Sequence, residues 1–295
     1  MHIVSRAALI AVAALHTLSV TIHAQGPSAA PELVVTPAWL VARLADPAVV
    51  VLHINHDDYA TGHVPGARNL EYGTIVARRG SVSSELPDVE QARRTFEALG
   101  ISDGSTVVVY AHQAPMATRV LFTLAYLGVE RIAYLDGGLT RWRAEGHPLS
   151  TAAPTITPGR ITAGAGGDST VVATADWITP RLSKAGLSLI DTRTDGEYNG
   201  TGNRSGMPSE GHLAAARQLE WEDLFTDRST TLKPRAELER MYAERVTPGD
   251  TVVTYCWVGY RASATWFIAR YLGYDARMYD GSYQDWSQRG LPTRR

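Results

Sequence analysis

The chain repeats part of its own sequence once, in the same order and at nearly constant spacing. Four segments of the first half each have a counterpart in the second half. The pairs are Gly62–Glu71 with Gly211–Glu220, Val107–Tyr110 with Val252–Tyr255, Leu121–Gly128 with Trp266–Gly273, and Tyr134–Trp142 with Met278–Trp286. Chance is a poor explanation for four ordered matches, and a chain of 295 residues has room for two domains. The repetition therefore indicates a duplicated domain.

Within each half, short apolar runs alternate with helical patterns. Pro47–Leu52 and Leu187–Ile190 are typical of buried strands, whereas Val89–Leu99 and Arg235–Tyr242 are typical of helices. Strands without alternation of apolar and polar residues, separated by helices, indicate a parallel sheet that is covered on both faces. We therefore expect an α/β fold in which each repeat is a mainly parallel sheet with helices on both faces.

Composition changes along the chain predict the domain boundaries. Residues 1–24 combine a basic start with an apolar run from Ala7 to Leu15, which is typical of a cleaved signal peptide. Residues 32–149 and 171–295 form the two domains, and 150–170, rich in Thr, Ala, Gly and Pro, forms the linker. The signal peptide predicts a periplasmic or secreted protein. Because no second hydrophobic segment follows, we expect no membrane span in the mature chain.

Composition also argues against several classes of function. The net charge of −2 argues against general nucleic-acid binding. The histidines show no metal-ligand spacing, and no phosphate-binding glycine loop occurs. We therefore expect neither a metal nor another cofactor.

Cys256, the only cysteine, follows the β-branched run Thr251–Tyr255 and precedes a helical pattern. A thiol between a strand and a helix faces backbone N–H groups and the positive end of the helix, which favour a thiolate. In a buried parallel sheet, ligands bind at this end of the strands. Cys256 is thus a candidate nucleophile; the alternative is a small buried hydrophobic residue.

Several motifs resemble the rhodanese family, and the tandem arrangement resembles its two-domain thiosulfate and 3-mercaptopyruvate sulfurtransferases. The motifs are Leu189–Arg193 with Glu197–Tyr198, Gly211–His212, the Cys256–Arg261 loop, and Tyr279–Gly281 followed by Trp286. The resemblance implies two tandem rhodanese-like domains, of which the second is catalytic. In the first, Ala111 stands where the second has Cys256.

The resemblance also implies an enzyme, a sulfurtransferase that moves sulfane sulfur from thiosulfate to cyanide or a thiol through a Cys256 persulfide. Its partners would be a small anionic sulfur donor and a thiol or cyanide acceptor; nothing in the sequence indicates an oligomeric state. An activated thiol that forms a covalent intermediate predicts ping-pong kinetics.

The loop after Cys256 supplies most of the expected substrate contacts. Backbone N–H groups from Trp257 through Val258, Gly259, Tyr260 and Arg261 to Ala262 would form an anion nest, and the glycine would permit its curvature. The Arg261 side chain would either bind the anionic donor or hold the loop. Trp257 and Tyr260 would form the pocket wall or pack against the other domain.

Three further residues are assigned supporting or binding roles. The resemblance implies that Arg193 binds an anion. Asp191 is expected to pair with Arg193 or to hold the loop. Ser263 is expected to cap the following helix, with contact to the substrate as the alternative. His63 and His212 occupy the same position in both repeats, which favours a structural role.

The donor and two rival functions stay open. Trp257-Val258 matches neither the basic residues of thiosulfate enzymes nor the Gly-Ser of mercaptopyruvate enzymes, and Asn199 stands where the latter carry a second arginine. A phosphatase or arsenate reductase would use Cys-x5-Arg, one residue longer than the spacing from Cys256 to Arg261. A non-catalytic module that binds partners or carries sulfur is the other rival.

Overall fold

The computed structural model describes residues 33–54, 59–164, 166–182, 184–202, 211–226 and 229–295. The predicted signal peptide, residues 1–24, lies outside these ranges. None of the helices in the described ranges is long and apolar enough to span a bilayer.

The first repeat is built on a five-stranded sheet in which all paired strands run parallel. Its strands in chain order are β1 (Val34–Val35), β2 (Val49–Ile54), β3 (Arg68–Leu70), β6 (Thr106–Tyr110) and β7 (Ile132–Leu135). They lie in the order β1-β7-β6-β2-β3. The strands between β3 and β6, β4 (Ala77–Arg79) and β5 (Val82–Glu85), form a separate antiparallel hairpin.

The second repeat has the same sheet, again with all pairs parallel. Its strands are β8 (Val172–Ala173), β9 (Leu187–Asp191), β11 (Arg217–Gln218), β12 (Thr251–Tyr255) and β13 (Ala276–Tyr279). They lie in the order β8-β13-β12-β9-β11, which matches the first sheet strand for strand. Two short strands, β10 (His212–Leu213) and β14 (Thr293–Arg294), pair with each other antiparallel.

Helices cover both faces of the sheets, as the unalternated apolar runs predict. Along β2, Val50 and Leu52 face one hydrophobic core and Val51 the opposite one. The α-helices are α1 (Pro37–Val41), α2 (Val89–Ala98), α3 (Ala114–Tyr126), α4 (Gly138–Ala144), α5 (Ala175–Ile178), α6 (Asp195–Asn199), α7 (Arg235–Ala243), α8 (Ala262–Tyr271) and α9 (Ser282–Gln288). The predicted fold class, two tandem α/β repeats with mainly parallel sheets, is confirmed.

The two histidines of the repeated motif play the same structural role in both halves. His63 stacks on Tyr59 with ring centroids 3.9 Å apart, and its Nδ1 lies 2.7 Å from the Tyr59 carbonyl oxygen. His212 stacks on Tyr198 at 3.8 Å, with Nδ1 3.0 Å from the Tyr198 carbonyl oxygen. A contact that recurs in the repeat without a cysteine maintains the fold, as the sequence comparison indicates.

The two repeats pack together through α3 and α8, which are equivalent helices of the duplication. The hydroxyls of Thr118 and Ser263 lie 2.8 Å apart across this interface. Farther along, the rings of Phe122 and Trp266 meet edge to face at 4.9 Å. One hydrophobic core runs continuously through both repeats at this interface, so their relative position is fixed by close packing.

The described part of the predicted linker, 150–170, lies against the first repeat. The N–H groups of Gly159 and Ile161 donate to the Glu97 carbonyl and side-chain oxygens at 2.7 and 2.8 Å. The Ile161 side chain is buried in the core, and a Cβ atom at Gly159 would overlap the Ile101 carbonyl oxygen. Its composition suggests a flexible spacer, but these contacts fix the segment along the domain surface.

Candidate active site

Cys256 follows the last residue of β12, at the carboxyl end of the central strand of the second sheet. Its side chain is fully buried, yet it lines a cavity of about 440 Å³ between the two repeats. The cavity opens where parallel strands end and α8 begins, the usual position of a ligand site in an α/β sheet. The thiol is therefore shielded from bulk solvent but faces a space large enough for a small ligand.

The loop from Cys256 to Arg261 is curled and held from below. Gly259 has a φ of 81°, a left-handed conformation that favours glycine. The Cys256 N–H donates to the Ser282 hydroxyl at 3.2 Å, so the start of the loop is anchored to α9. The N–H groups of Val258–Ala262 have no protein acceptor within the described ranges. These N–H groups are therefore candidates for the anion nest that the sequence predicts.

Arg261 lines the cavity, and its guanidinium grips Glu197 through two hydrogen bonds of 2.8 and 2.9 Å. Burial by itself raises the pKa of the Glu197 carboxyl, but the hydrogen bonds and charge of Arg261 outweigh burial and lower this pKa to about 2. Burial likewise lowers the pKa of Arg261, whereas Glu197 and Cys256 raise it above its ordinary value. Arg261 thus holds the loop and also places a positive charge near the thiol.

Arg193 does not line this cavity, which differs from the expected anion-binding role. Its guanidinium is buried and donates to the Asp191 carboxylate, at 2.5 to 3.1 Å, and to the Gly211 carbonyl oxygen at 2.8 Å. Its carbon Cζ also lies 4.0 Å from the Tyr283 ring centroid. The predicted Asp191–Arg193 pair is present. A buried guanidinium needs several acceptors, and these bonds occupy the N–H groups that the sequence assigned to an anion. The pair supports the strand end beneath the loop.

Of the two aromatic residues of the loop, Tyr260 both lines the cavity and packs against the other repeat, whereas Trp257 lines the cavity and packs within its own repeat. Trp257 lines the cavity and also packs against Tyr283, with ring centroids 5.6 Å apart. Tyr260 lines the cavity too, and it contacts the first repeat through the Tyr72 ring at 5.8 Å and the Gln113 amide oxygen at 2.9 Å. Each ring is therefore both a wall of the site and a packing contact.

The other loop residues differ in whether they line the cavity. Val258 lines the cavity, whereas Gly259 and Ala262 do not. The prediction that Ser263 caps α8 is wrong. Arg261 occupies the cap position, and the Ser263 hydroxyl lies inside the first turn of the helix. That hydroxyl bonds the Tyr260 carbonyl oxygen at 2.7 Å and reaches across to Thr118 of the first repeat. Ser263 thus supports the site by joining the two repeats.

Sequence reasoning missed half of the cavity wall. Glu197, the partner of Arg261, belongs to a Thr-x-x-Glu capping box with Thr194 at the start of α6. That pattern is visible in the sequence and could have located both residues. Ser84 comes from the first repeat and carries no motif. The wall residues not predicted from the sequence are Ser84, Thr194, Glu220, Trp221 and Glu222.

The geometry suits a nucleophilic thiol better than a metal centre. Within the described ranges no cluster of histidine, cysteine and acidic side chains is arranged to hold a metal ion. The thiol lines a cavity together with Arg261, at the start of a loop whose N–H groups from Val258 to Ala262 have no protein acceptor in the described ranges. Such groups stabilise negative charge on a sulfur atom and on an anionic leaving group.

Comparisons with known proteins agree with this geometry. A model of the rhodanese-like domain matches residues 36–145 and 174–289. A thiosulfate sulfurtransferase of Corynebacterium glutamicum is 32% identical over 87% of this chain and 88% of its own length. Another from Azotobacter vinelandii is 32% identical over 86% and 93%. The structure of Escherichia coli SseA, described as a 3-mercaptopyruvate sulfotransferase, superposes with a TM-score of 0.75 at 21% identity, over 85% of this chain and 98% of that one. The chain belongs to the rhodanese family.

Proposed function

We propose that the protein is a sulfurtransferase that moves sulfane sulfur from thiosulfate to cyanide or a thiol through a persulfide on Cys256. The observation that carries this proposal is the position of the only cysteine, which lines a cavity at the start of a curled loop whose N–H groups lack protein acceptors in the described ranges. The curated relatives from C. glutamicum and A. vinelandii, named thiosulfate sulfurtransferases, support the choice of donor.

In the first step, the Cys256 thiolate attacks the outer sulfur of thiosulfate. A new S–S bond forms, the S–S bond of thiosulfate breaks, and sulfite leaves with the bonding electron pair. The N–H groups of the loop and the Arg261 guanidinium stabilise the charge on the donor and on the resulting persulfide. No oxidant is needed, because the sulfane sulfur passes from one sulfur atom to another.

In the second step, the acceptor attacks the outer sulfur of the persulfide. Cyanide leaves as thiocyanate, or a thiol leaves as a persulfide, and the Cys256 thiolate is restored. Because the donor product departs before the acceptor reacts, the kinetics are ping-pong. Because Cys256 lines the cavity, both molecules can reach the same sulfur atom in turn.

Intact-mass measurement tests the covalent step. We expect the protein to gain one sulfur atom after treatment with thiosulfate and to lose it after addition of cyanide, with thiocyanate released. The Cys256→Ala variant, treated in parallel, should show no gain. A protein that takes up no sulfur from any sulfane donor would instead be a binding module.

Comparison of thiosulfate with 3-mercaptopyruvate tests the donor. Thiosulfate is expected to have the higher kcat/KM, since Asn199 lies where a second carboxylate-binding arginine would be needed. Arg261→Ala is expected to raise KM for the anionic donor. A large preference for mercaptopyruvate would overturn the choice of donor but not the persulfide.

Export of the protein is part of the same proposal and is supported by the sequence pattern of residues 1–24. Expression of the full chain in a bacterial host, followed by fractionation, tests it. We expect a shortened protein in the periplasm or medium; a full-length protein in the cytoplasm would contradict export.

A further inference from the structure

Arg119 is a fully buried arginine in the repeat that has no cysteine. It lies on α3, one turn after the start of the helix, and faces the second repeat. Arginine is rarely buried completely unless it is paired, so this position needs an explanation. None of the sequence motifs of the active site includes it.

Its guanidinium reaches the base of the catalytic loop. The Arg119 Nη1 donates to the Asp280 carboxylate at 2.5 Å. The other oxygen of Asp280 accepts the Leu86 N–H at 2.6 Å. A Cβ atom added to Gly259 would lie 2.6 Å from the Asp280 carbonyl oxygen and 3.3 Å from Arg119 Nη1. Arg119 and Asp280 therefore pack directly against the loop at Gly259, where its backbone turns; we call this pair the floor of the loop.

Two more observations connect this floor with the thiol. Burial raises the pKa of Tyr72 to about 12; Arg119 opposes this rise, whereas Cys256 and Asp280 add to it. The charges of Arg119 and Cys256 thus act on the same hydroxyl. In addition, the Arg119 Nε and Nη2 groups find no acceptor among the described residues. An unsatisfied buried N–H is costly, which argues that this arginine is not retained for stability alone.

The first repeat offers an internal comparison. Asp136, the counterpart of Asp280, pairs at 2.5 Å with Arg141, which belongs to its own repeat. The Arg141 side chain is partly exposed and also bonds Glu145. At the position in α8 equivalent to Arg119 the second repeat has Ala264. Only the aspartate of the catalytic repeat is held by an arginine from across the interface.

We propose that Arg119 is a positioning residue of the sulfur-transfer site: through Asp280 and its contact beneath Gly259, it holds the loop of the catalytic repeat in its curled form. The repeat without a cysteine is then required for turnover by the repeat that has one. The proposal rests on the proposed function for its kinetic readout but not for its structural one.

The test compares Arg119→Met, Arg119→Lys and the matched control Arg141→Met in the full chain. Two quantities are measured: the single-turnover rate of persulfide formation with thiosulfate, and amide hydrogen exchange in a peptide that spans 256–263. Arg119→Met is expected to slow sulfur uptake about 10–100-fold, as a small displacement of a reacting group does. It should also speed exchange in the loop. Arg119→Lys should recover part of both, and Arg141→Met should change the rate less than about 2-fold.

Asp280→Asn and its control Asp136→Asn replace the arginine variants if Arg119→Met does not fold. Asp280→Asn leaves the buried arginine in place but weakens its hold, and faster exchange in the loop is again expected, whereas Asp136→Asn should leave the loop unchanged. The proposal would be overturned if an Arg119 or Asp280 variant and its matched control lost the same fraction of the persulfide-formation rate. It would also be overturned if amide exchange in the loop stayed at the wild-type rate. Exchange does not depend on turnover, so a wild-type protein without sulfurtransferase activity would refute the proposed function alone.

Discussion

The two copies of the loop at the end of the central strand differ in more than the cysteine. In the second repeat, Cys256 is followed by a curled loop, and α8 begins at Ala262. In the first, Ala111 is followed by only two residues before α3 begins at Ala114. With Ala111 aligned to Cys256, the helix of the first repeat starts three residues earlier. The residues of the first repeat that correspond to Gly259–Arg261 of the curled loop form the first turn of α3.

This difference shows what the catalytic copy retains. Pro115 stands in the first turn of α3, where its fixed φ favours a helix, whereas Gly259 at φ 81° prevents α8 from starting early. The first repeat thus lacks both the cysteine and the curled loop that follows it. The first repeat instead contributes walls and support, through Ser84 in the cavity and Tyr72 and Arg119 beneath the loop.

Removal of the thiol is the largest expected effect. Cys256→Ala should abolish sulfur transfer from thiosulfate to cyanide, because no other cysteine is present. The matched variant places the thiol in the other copy: Ala111→Cys in the Cys256→Ala background. We expect it to stay inactive in a thiocyanate assay, since α3 leaves no curled loop around position 111. Activity of that double variant would show that the loop conformation is dispensable.

Gly259→Ala tests the loop itself. A Cβ atom would meet the Asp280 carbonyl oxygen, and alanine at this φ is strained by about 1–3 kcal/mol. We expect persulfide formation to slow about 10–100-fold while the far-UV circular dichroism stays unchanged. The control Ala114→Gly, at the equivalent position in the first repeat, should keep the wild-type rate. Equal rates in Gly259→Ala and wild type would mean that the curl is not needed.

The sequence predicted those features that depend on neighbouring residues or that occur in both repeats. Duplication and unalternated strands predicted the sheets, and the strand–cysteine–glycine–arginine order predicted a loop whose conformation Gly259 determines. The partners of Arg193 and Arg261 were only partly visible: Asp191 is two residues away, but Glu197 joins the site through the fold of α6. Ser84 and Arg119 could not be found, because they reach the site across an interface between repeats and have no counterpart motif in the catalytic one.

Arg261→Lys tests the bidentate grip on Glu197. A lysine keeps the charge but cannot bridge both carboxylate oxygens in a fixed geometry. We expect kcat with thiosulfate to fall about 10-fold with a smaller change in KM, because lysine keeps the charge near the donor, which alanine would remove, but loses the geometry that holds the loop. Met116→Lys, at the equivalent position of the first repeat, serves as the control and should leave both constants near those of the wild type. A rise in KM alone would instead assign Arg261 to donor binding.

The Glu197–Arg261 pair should also make the free energy of unfolding depend on pH, and this is the smallest effect that we expect. The folded-state pKa of Glu197 is about 2, below the ordinary value of 4.5, so its contribution is present above about pH 4.5 and is lost as the pH falls toward 2. We expect Glu197→Gln to lower the free energy of unfolding by about 1–3 kcal/mol at pH 6, where the wild-type pair is charged. Urea titrations at pH 6 and pH 3 should therefore show the two proteins approaching each other in acid. Glu237→Gln, which removes the partly exposed pair between Glu237 of α7 and Lys233 just before it, is the control and should leave the free energy of unfolding nearly unchanged at either pH. A difference between Glu197→Gln and wild type that stays constant with pH would mean that the carboxylate's charge is not what stabilises the loop.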